Sequence, residues 1–171
     1  AAAAHLLLDP HGDPVGPATP QPGVTPQVLL DAAQALAWFT TEHLILLACV
    51  RQAATTGCDA HTCQLARALW TYFDRRGQWH HLAATQRIAL DAARRLADET
   101  AQAHGHRLLR LAYTRLVRND DADTHLRQAL QLYGAIGDYT GQAHICLCLA
   151  RVYEQPANHD EALGHCQRAL T

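Results

Sequence analysis

The sequence contains no methionine, not even at position 1. A chain without an initiating residue is expected to be an excised piece of a longer protein. Long apolar runs are also missing. The longest, residues 44–50, is far shorter than the roughly 20 residues a helix needs to cross a bilayer, so no membrane span is expected. Residues 1–8 lack a basic start, and their apolar stretch runs into Asp9 and Pro10, so they do not read as a secretory signal. Charge of either sign is scarce. Fourteen basic residues face sixteen acidic ones, for a net charge of -2 with the twelve histidines neutral. That balance gives no bulk attraction to nucleic acid or to an anionic membrane, although mild acid would charge the histidines. The catalytic signatures GxSxG and HExxH are absent, as is the GxxxxGK[ST] phosphate loop. The six cysteines, Cys49, Cys58, Cys63, Cys146, Cys148 and Cys166, fit no disulfide framework or zinc spacing, and are expected to be reduced thiols in the cytoplasm.

What is present is unevenly distributed. Six of the seven prolines fall in residues 9–26. Proline fixes φ and removes a backbone donor, so residues 1–26 are expected to be an extended, proline-rich lead. Beyond Pro26 the alanine, leucine, arginine and glutamine content favours helix, and no strand is expected. Thr25 is a suitable N-cap with Pro26 at the first helical position, predicting a helix over 27–38. Thr40, Thr41 and Glu42 suggest a second start, with a helix over 42–55 ending near Gly57. Residues 27–58 thus read as a divergent first helix pair.

Shifting the chain against itself by 40 residues exposes a repeat. Leu69, Leu109 and Leu149 coincide, as do Phe73, Tyr113 and Tyr153. Ala89, Ala129 and Ala169 coincide, each followed by leucine, and Asp98 falls on Asp138. Single alanine matches mean little in so alanine-rich a chain. The joint agreement of leucine, aromatic and alanine at one offset has a physical cause. Two helices joined by a short turn pack a large residue on one beside a small residue on the other, and stacked pairs bury what one pair cannot. The expected fold is all-α, an α-solenoid of antiparallel helix pairs with about eight helices. Its repeats are 59–98, 99–138 and a truncated 139–171.

These positions resemble the tetratricopeptide repeat (TPR). The middle unit supplies Leu109, Tyr113, Ala122, Leu126 and Ala129, and the last supplies Leu149, Tyr153, Ala162, Cys166 and Ala169. Trp70, Arg110 and Ala150 stand where that family carries glycine, and the period is 40 rather than 34. The stretches LLDPHGDP, ALAWFTTEH, YFDRRGQW and TQRIALDAARRLAD also resemble the C-terminal repeat region of actinobacterial regulators of the NB-ARC/STAND type. The resemblance implies a sensor or autoinhibitory module of a transcriptional regulator that binds protein or peptide.

In that architecture the first helix of each repeat lines a concave groove. The resulting candidates are Gln64, Arg67, Thr71 and Arg75 in the first repeat, His104, Arg107, Thr114 and Arg115 in the second, and His144 and Arg151 in the third. Spacings of three and four keep each set on one helix face. The arginines suit a carboxylate, so an acidic peptide or another domain of the parent regulator is the expected partner. The plain alternative is that they pair with Asp74, Glu154 and other carboxylates, or stay solvated. A purely structural or oligomerising module is therefore a second reading.

The remaining constellations weigh less. His104 with His106, His80 with His81, and His144 with Cys148 invite a metal, but Cys146 and Cys166 fall at packing positions, so no metal site is assigned. Cys58 and His61 near a helix start lack an oriented base, so no catalytic residue and no cofactor is assigned, and the chain is not expected to be an enzyme. Trp38, Trp70 and Trp79 read as packing residues, and nucleic acid is not an expected partner. The sequence stops inside the second helix of the last repeat, so further repeats or self-association through an uncapped end are expected.

Overall fold

The computed structural model describes residues 1–10, 27–143 and 145, and all regular structure among them is helical. Contacts divide the chain into two compact units, Ala1–Leu96 and Ala97–Thr171. The first holds α1 (Ala2–Leu8), α2 (Ala32–Thr55), α3 (Asp59–Arg76) and α4 (Trp79–Arg95). The second holds α5 (Glu99–Arg115), α6 (Asn119–Ala135) and helical residues at 139–143 and 145.

The N-terminal third departs from its sequence reading in two places. Residues 2–8 are helical, and Ala4, His5 and Leu8 are buried, so the lead is not extended throughout. Residues 11–26, with Thr25 and Pro26, lie outside the described set. The expected pair over 27–58 is one unbroken helix, α2, capped by Asp31, whose carboxylate accepts from the Gln34 amide at 2.8 Å. Thr40 and Thr41 do not start a new helix. Their hydroxyls donate to the carbonyls of Leu36 and Ala37, one turn back, and the helix continues through them. By length and composition alone α2 could cross a membrane. Here its buried residues Ala35, Phe39, Leu47 and Val50 accompany packing on α1, α3 and α4.

From α2 onward the chain turns every 20 residues. Gly57, Gly77, Ala97, Val117 and Gly137 all have positive φ, between 52° and 73°. Each follows a helix end, and at four of them the next amide reaches back five residues in the Schellman pattern. These bonds run from Cys58 to Ala53, Gln78 to Phe73, Arg118 to Tyr113 and Asp138 to Tyr133, at 2.8–3.0 Å. The 40-residue period is therefore two strokes of 20. The caps separate one stroke from the other: Asp98 and Asp138 cap their helices through Ala101 and Gly141, whereas Gln78 and Arg118 make no side-chain cap.

The matched positions are core positions. Leu69, Phe73, Ala89 and Leu90 are buried in the first unit, and Leu109, Tyr113 and Ala129 in the second. Leu149, Tyr153 and Ala169 lie outside the described residues. In the first unit Phe39 of α2 stacks on Tyr72 of α3 at 5.3 Å, and Gln86 of α4 donates to the Ala66 carbonyl of α3 at 3.1 Å. Arg95, at the end of α4, grips Asp59, at the start of α3, through Nε and Nη2. That bidentate pairing holds the Asp59 carboxyl below its usual range. In the second unit Ala103, Leu126, Ala129, Tyr133 and Ile145 form one apolar cluster. Gly141 makes the close approach possible: a Cβ there would lie 2.7 Å from Tyr133 Cγ and closer still to Cδ1 and Cε1.

Candidate functional site

The α3 face carrying the candidate groove residues is already covered in part. Helix α1 packs on both α2 and α3. Its inward residues Ala4, His5 and Leu8 share one stripe, at intervals of one and four. Thr71 is 5% exposed, with its hydroxyl 3.4 Å from Nδ1 of His5. Arg75 donates through Nη2 to the carbonyl of Leu8. The last carbonyls of a helix have no intrahelical donor and carry partial negative charge, so a guanidinium suits them on both counts. Trp70 lies against the His5 ring, with centroids 6.5 Å apart. Burial lowers the basicity of His5, Asp9 pulls in the opposite direction, and the charge of Arg67 lowers it further. Gln64 is exposed on the same helix. Thus Arg67, Thr71 and Arg75 converge, and what they converge on is the chain's own N-terminal helix.

The corresponding face of α5 is arranged differently. The position of Thr71 is taken by Leu111, and Thr114 turns its hydroxyl to the Arg110 carbonyl of its own helix at 2.9 Å. His104 faces α6: its Nδ1 is 3.3 Å from the Tyr133 hydroxyl, and the two rings meet edge to face. Arg107 is half-buried and Arg115 exposed. His144 and Arg151 lie outside the described residues.

The sequence pointed to His104 with His106 as neighbours. The structure pairs His106 with His125 instead, across α5 and α6, with their Nδ1 atoms 2.8 Å apart. His125 stacks on Tyr113 at 5.4 Å, and the Arg118 guanidinium lies 4.6 Å from the centre of that ring. One imidazole must donate and the other accept, so this bond requires at least one of the two to be neutral. Among the described residues no group of three or more His, Cys, Asp or Glu side chains is placed to hold a metal. Cys58 sits at the start of α3, exposed and with no side-chain cap bond, and His61 is exposed in the first turn. Cys49, Cys58 and Cys63 form no disulfide among the described residues, and the Cys63 thiol donates to the Ala89 carbonyl.

Sequence reasoning missed His5 and Leu8 as partners of α3. Only the run of three leucines ahead of Asp9 and Pro10 hinted at an amphipathic segment there. It also missed the bond between His106 and His125, because 19 residues and a turn separate them.

No protein-family profile matches the chain, and no solved structure matches it. The chain is similar to the regulatory protein AfsR of Streptomyces griseus, with 29% identity over 139 residues. The similar region covers 80% of this chain and 14% of that much longer protein. The chain, whose described regular structure is helical, is thus similar to one segment of a regulatory protein.

Proposed function

We propose that the chain is a TPR-like, partner-binding segment of a bacterial transcriptional regulator, cytoplasmic and without catalytic activity of its own. On this reading it takes a protein or acidic peptide, or another domain of the same regulator, along the first-helix faces of its repeats. The similarity to AfsR supports a regulator-related role. The 20-residue alternation of helices and the buried leucine, aromatic and alanine positions support the repeat assignment. The observation that carries the binding role is the α3 face, where Thr71 and Arg75 already hold a helical segment from outside the repeat.

The test is capture of partners by the full chain, comparing wild type with Arg67→Glu, Arg107→Glu and Arg115→Glu combined. Capture is expected to fall at least tenfold while helical content stays constant. Equal capture by both proteins would remove the groove from the account. A second reading, a self-associating structural module, draws on Leu44 and Ile45 of α2, which are 63% and 60% exposed. Sedimentation at rising concentration separates the two, because only the second requires an oligomer sensitive to Leu44→Glu and Ile45→Glu.

A further inference from the structure

We propose that α1 is a tethered ligand: the α2–α3 face of the first unit recognises a short apolar helix, and the N-terminal segment fills that site in cis. A helix of the same chemistry arriving in trans must displace it. The proposal rests on reading the α3 face as a binding surface, and it names what that surface takes.

Three observations separate α1 from an ordinary core helix. First, the connections from α2 onward are tight left-handed turns, whereas residues 9–31 lie between α1 and α2. Second, the unit's stacked aromatic pair, Phe39 and Tyr72, joins α2 to α3, whereas the ring of α1, His5, lies against Trp70 at 6.5 Å. Third, that buried imidazole is held by a long contact, with its Nδ1 3.4 Å from the Thr71 hydroxyl. The recognition chemistry follows from the contacts. Small Ala4 permits close approach, His5 meets Thr71 and Trp70, Leu8 supplies the apolar anchor, and Arg75 takes the carbonyl at the helix end. Arg75 therefore reads a helix C-terminus rather than an acidic side chain. A covalent tether raises the local concentration of α1 far above that of a free competitor, so the site stays closed until the competitor is abundant or α1 is weakened.

The test uses the full chain and a fluorescent peptide of residues 1–10. The wild-type chain is expected to bind it at least tenfold more weakly than the Leu8→Asp chain, in which the cis helix has lost its anchor. Adding Arg75→Glu to Leu8→Asp is expected to return binding to the weak level. Equal binding by wild type and Leu8→Asp, or no effect of Arg75→Glu, overturns the proposal. Should Leu8→Asp lose helical content, amide exchange on the wild-type chain decides. Excess peptide must speed exchange in α1 while α3 stays protected, and unchanged exchange in α1 overturns it. Self-association of the wild-type chain that Leu8→Asp abolishes supports it and identifies the trans helix as a second copy's α1. Partner capture that depends on Arg107 and Arg115, with no binding of this peptide, defeats this inference and leaves the proposed function standing.

Discussion

The α3–α4 pair and the α5–α6 pair occupy the same 40-residue register and solve the same packing problem with different side chains. Ala66 and Thr85, both buried in the first pair, correspond to His106 and His125 in the second. Where the first pair buries small groups, the second places two imidazoles in hydrogen-bond contact. The α3 face is covered in part by α1, whereas Leu111 and Thr114 on α5 make an apolar and a self-satisfied surface. The repeat thus constrains a skeleton of leucine, aromatic and alanine. Positions off that skeleton are free to differ, and it is there that the two pairs acquire separate properties.

The largest expected effect tests the skeleton where it leaves no room. Ala101 begins α5 with a Cβ, while its counterpart Gly141 meets the buried Tyr133 ring. Gly141→Ala should destabilise the second unit by about 1–3 kcal/mol, the usual range for overpacking. Ala101→Gly should cost only a helix-propensity penalty below about 1 kcal/mol. Urea denaturation of both variants checks the asymmetry, and equal losses would mean that the Tyr133 contact yields easily.

The turns come next. Gly57 and Gly77 adopt φ near 70° without a Cβ, but Ala97 and Val117 are held at 52° and 59°. A side chain in that region costs about 1–2 kcal/mol, most for a β-branched residue. Gly77→Ala should therefore destabilise by about 1 kcal/mol, and Val117→Gly should stabilise by a similar amount. Val117 is 79% exposed, so little buried surface is lost with it. Thermal melts decide, and opposite signs at the two turns are the expected outcome.

The acid response distinguishes the α1 contact from the rest of the first unit. Burial, aided by Arg67 and opposed by Asp9, makes His5 harder to protonate in the folded chain than in the unfolded one. The unfolded state therefore binds more protons just below the ordinary histidine value of about 6.5. The stability His5 contributes is complete above that value and falls as pH drops through the window down to its lowered folded value. Protection of the α1 amides, measured against the intrinsic exchange rate at each pH, should fall as pH drops below about 6.5, and His5→Gln should flatten that dependence. An α1 whose protection is insensitive to pH would count against His5 as the weak point of the contact.

The buried skeleton was legible because it depends on residue types recurring at one spacing: Leu69 with Leu109, Phe73 with Tyr113, Ala89 with Ala129. The 20-residue stroke was not, because glycine, alanine and valine all occupy the left-handed position, and the conformation is imposed by the packed helices on either side. The break expected at Thr40 and Thr41 failed for a local reason, since threonine hydroxyls satisfy helical carbonyls as readily as they cap an N-terminus. Of the candidate groove, Thr71 and Arg75 both meet α1, and that occupant was hidden. Nothing in the spacing of residues 1–8 says that they return to Thr71 and Arg75, more than 60 positions along the chain.

The smallest expected effect concerns the helix starts. Asp98 caps α5 through the Ala101 amide at 2.9 Å, whereas Cys58, in the same register, leaves the start of α3 uncapped. Cys58→Asp should supply the missing acceptor and raise the stability of the first unit by about 0.5–1 kcal/mol. Asp59 alongside opposes the gain through like charge, and its pairing with Arg95 limits that opposition. Cys58→Asn offers the same acceptor without the charge. If Asn stabilises and Asp does not, the Asp59–Arg95 pair is what makes α3 begin differently from α5. If neither does, the backbone at Cys58, with ψ 58° against 94° at Asp98, is not positioned to present a cap.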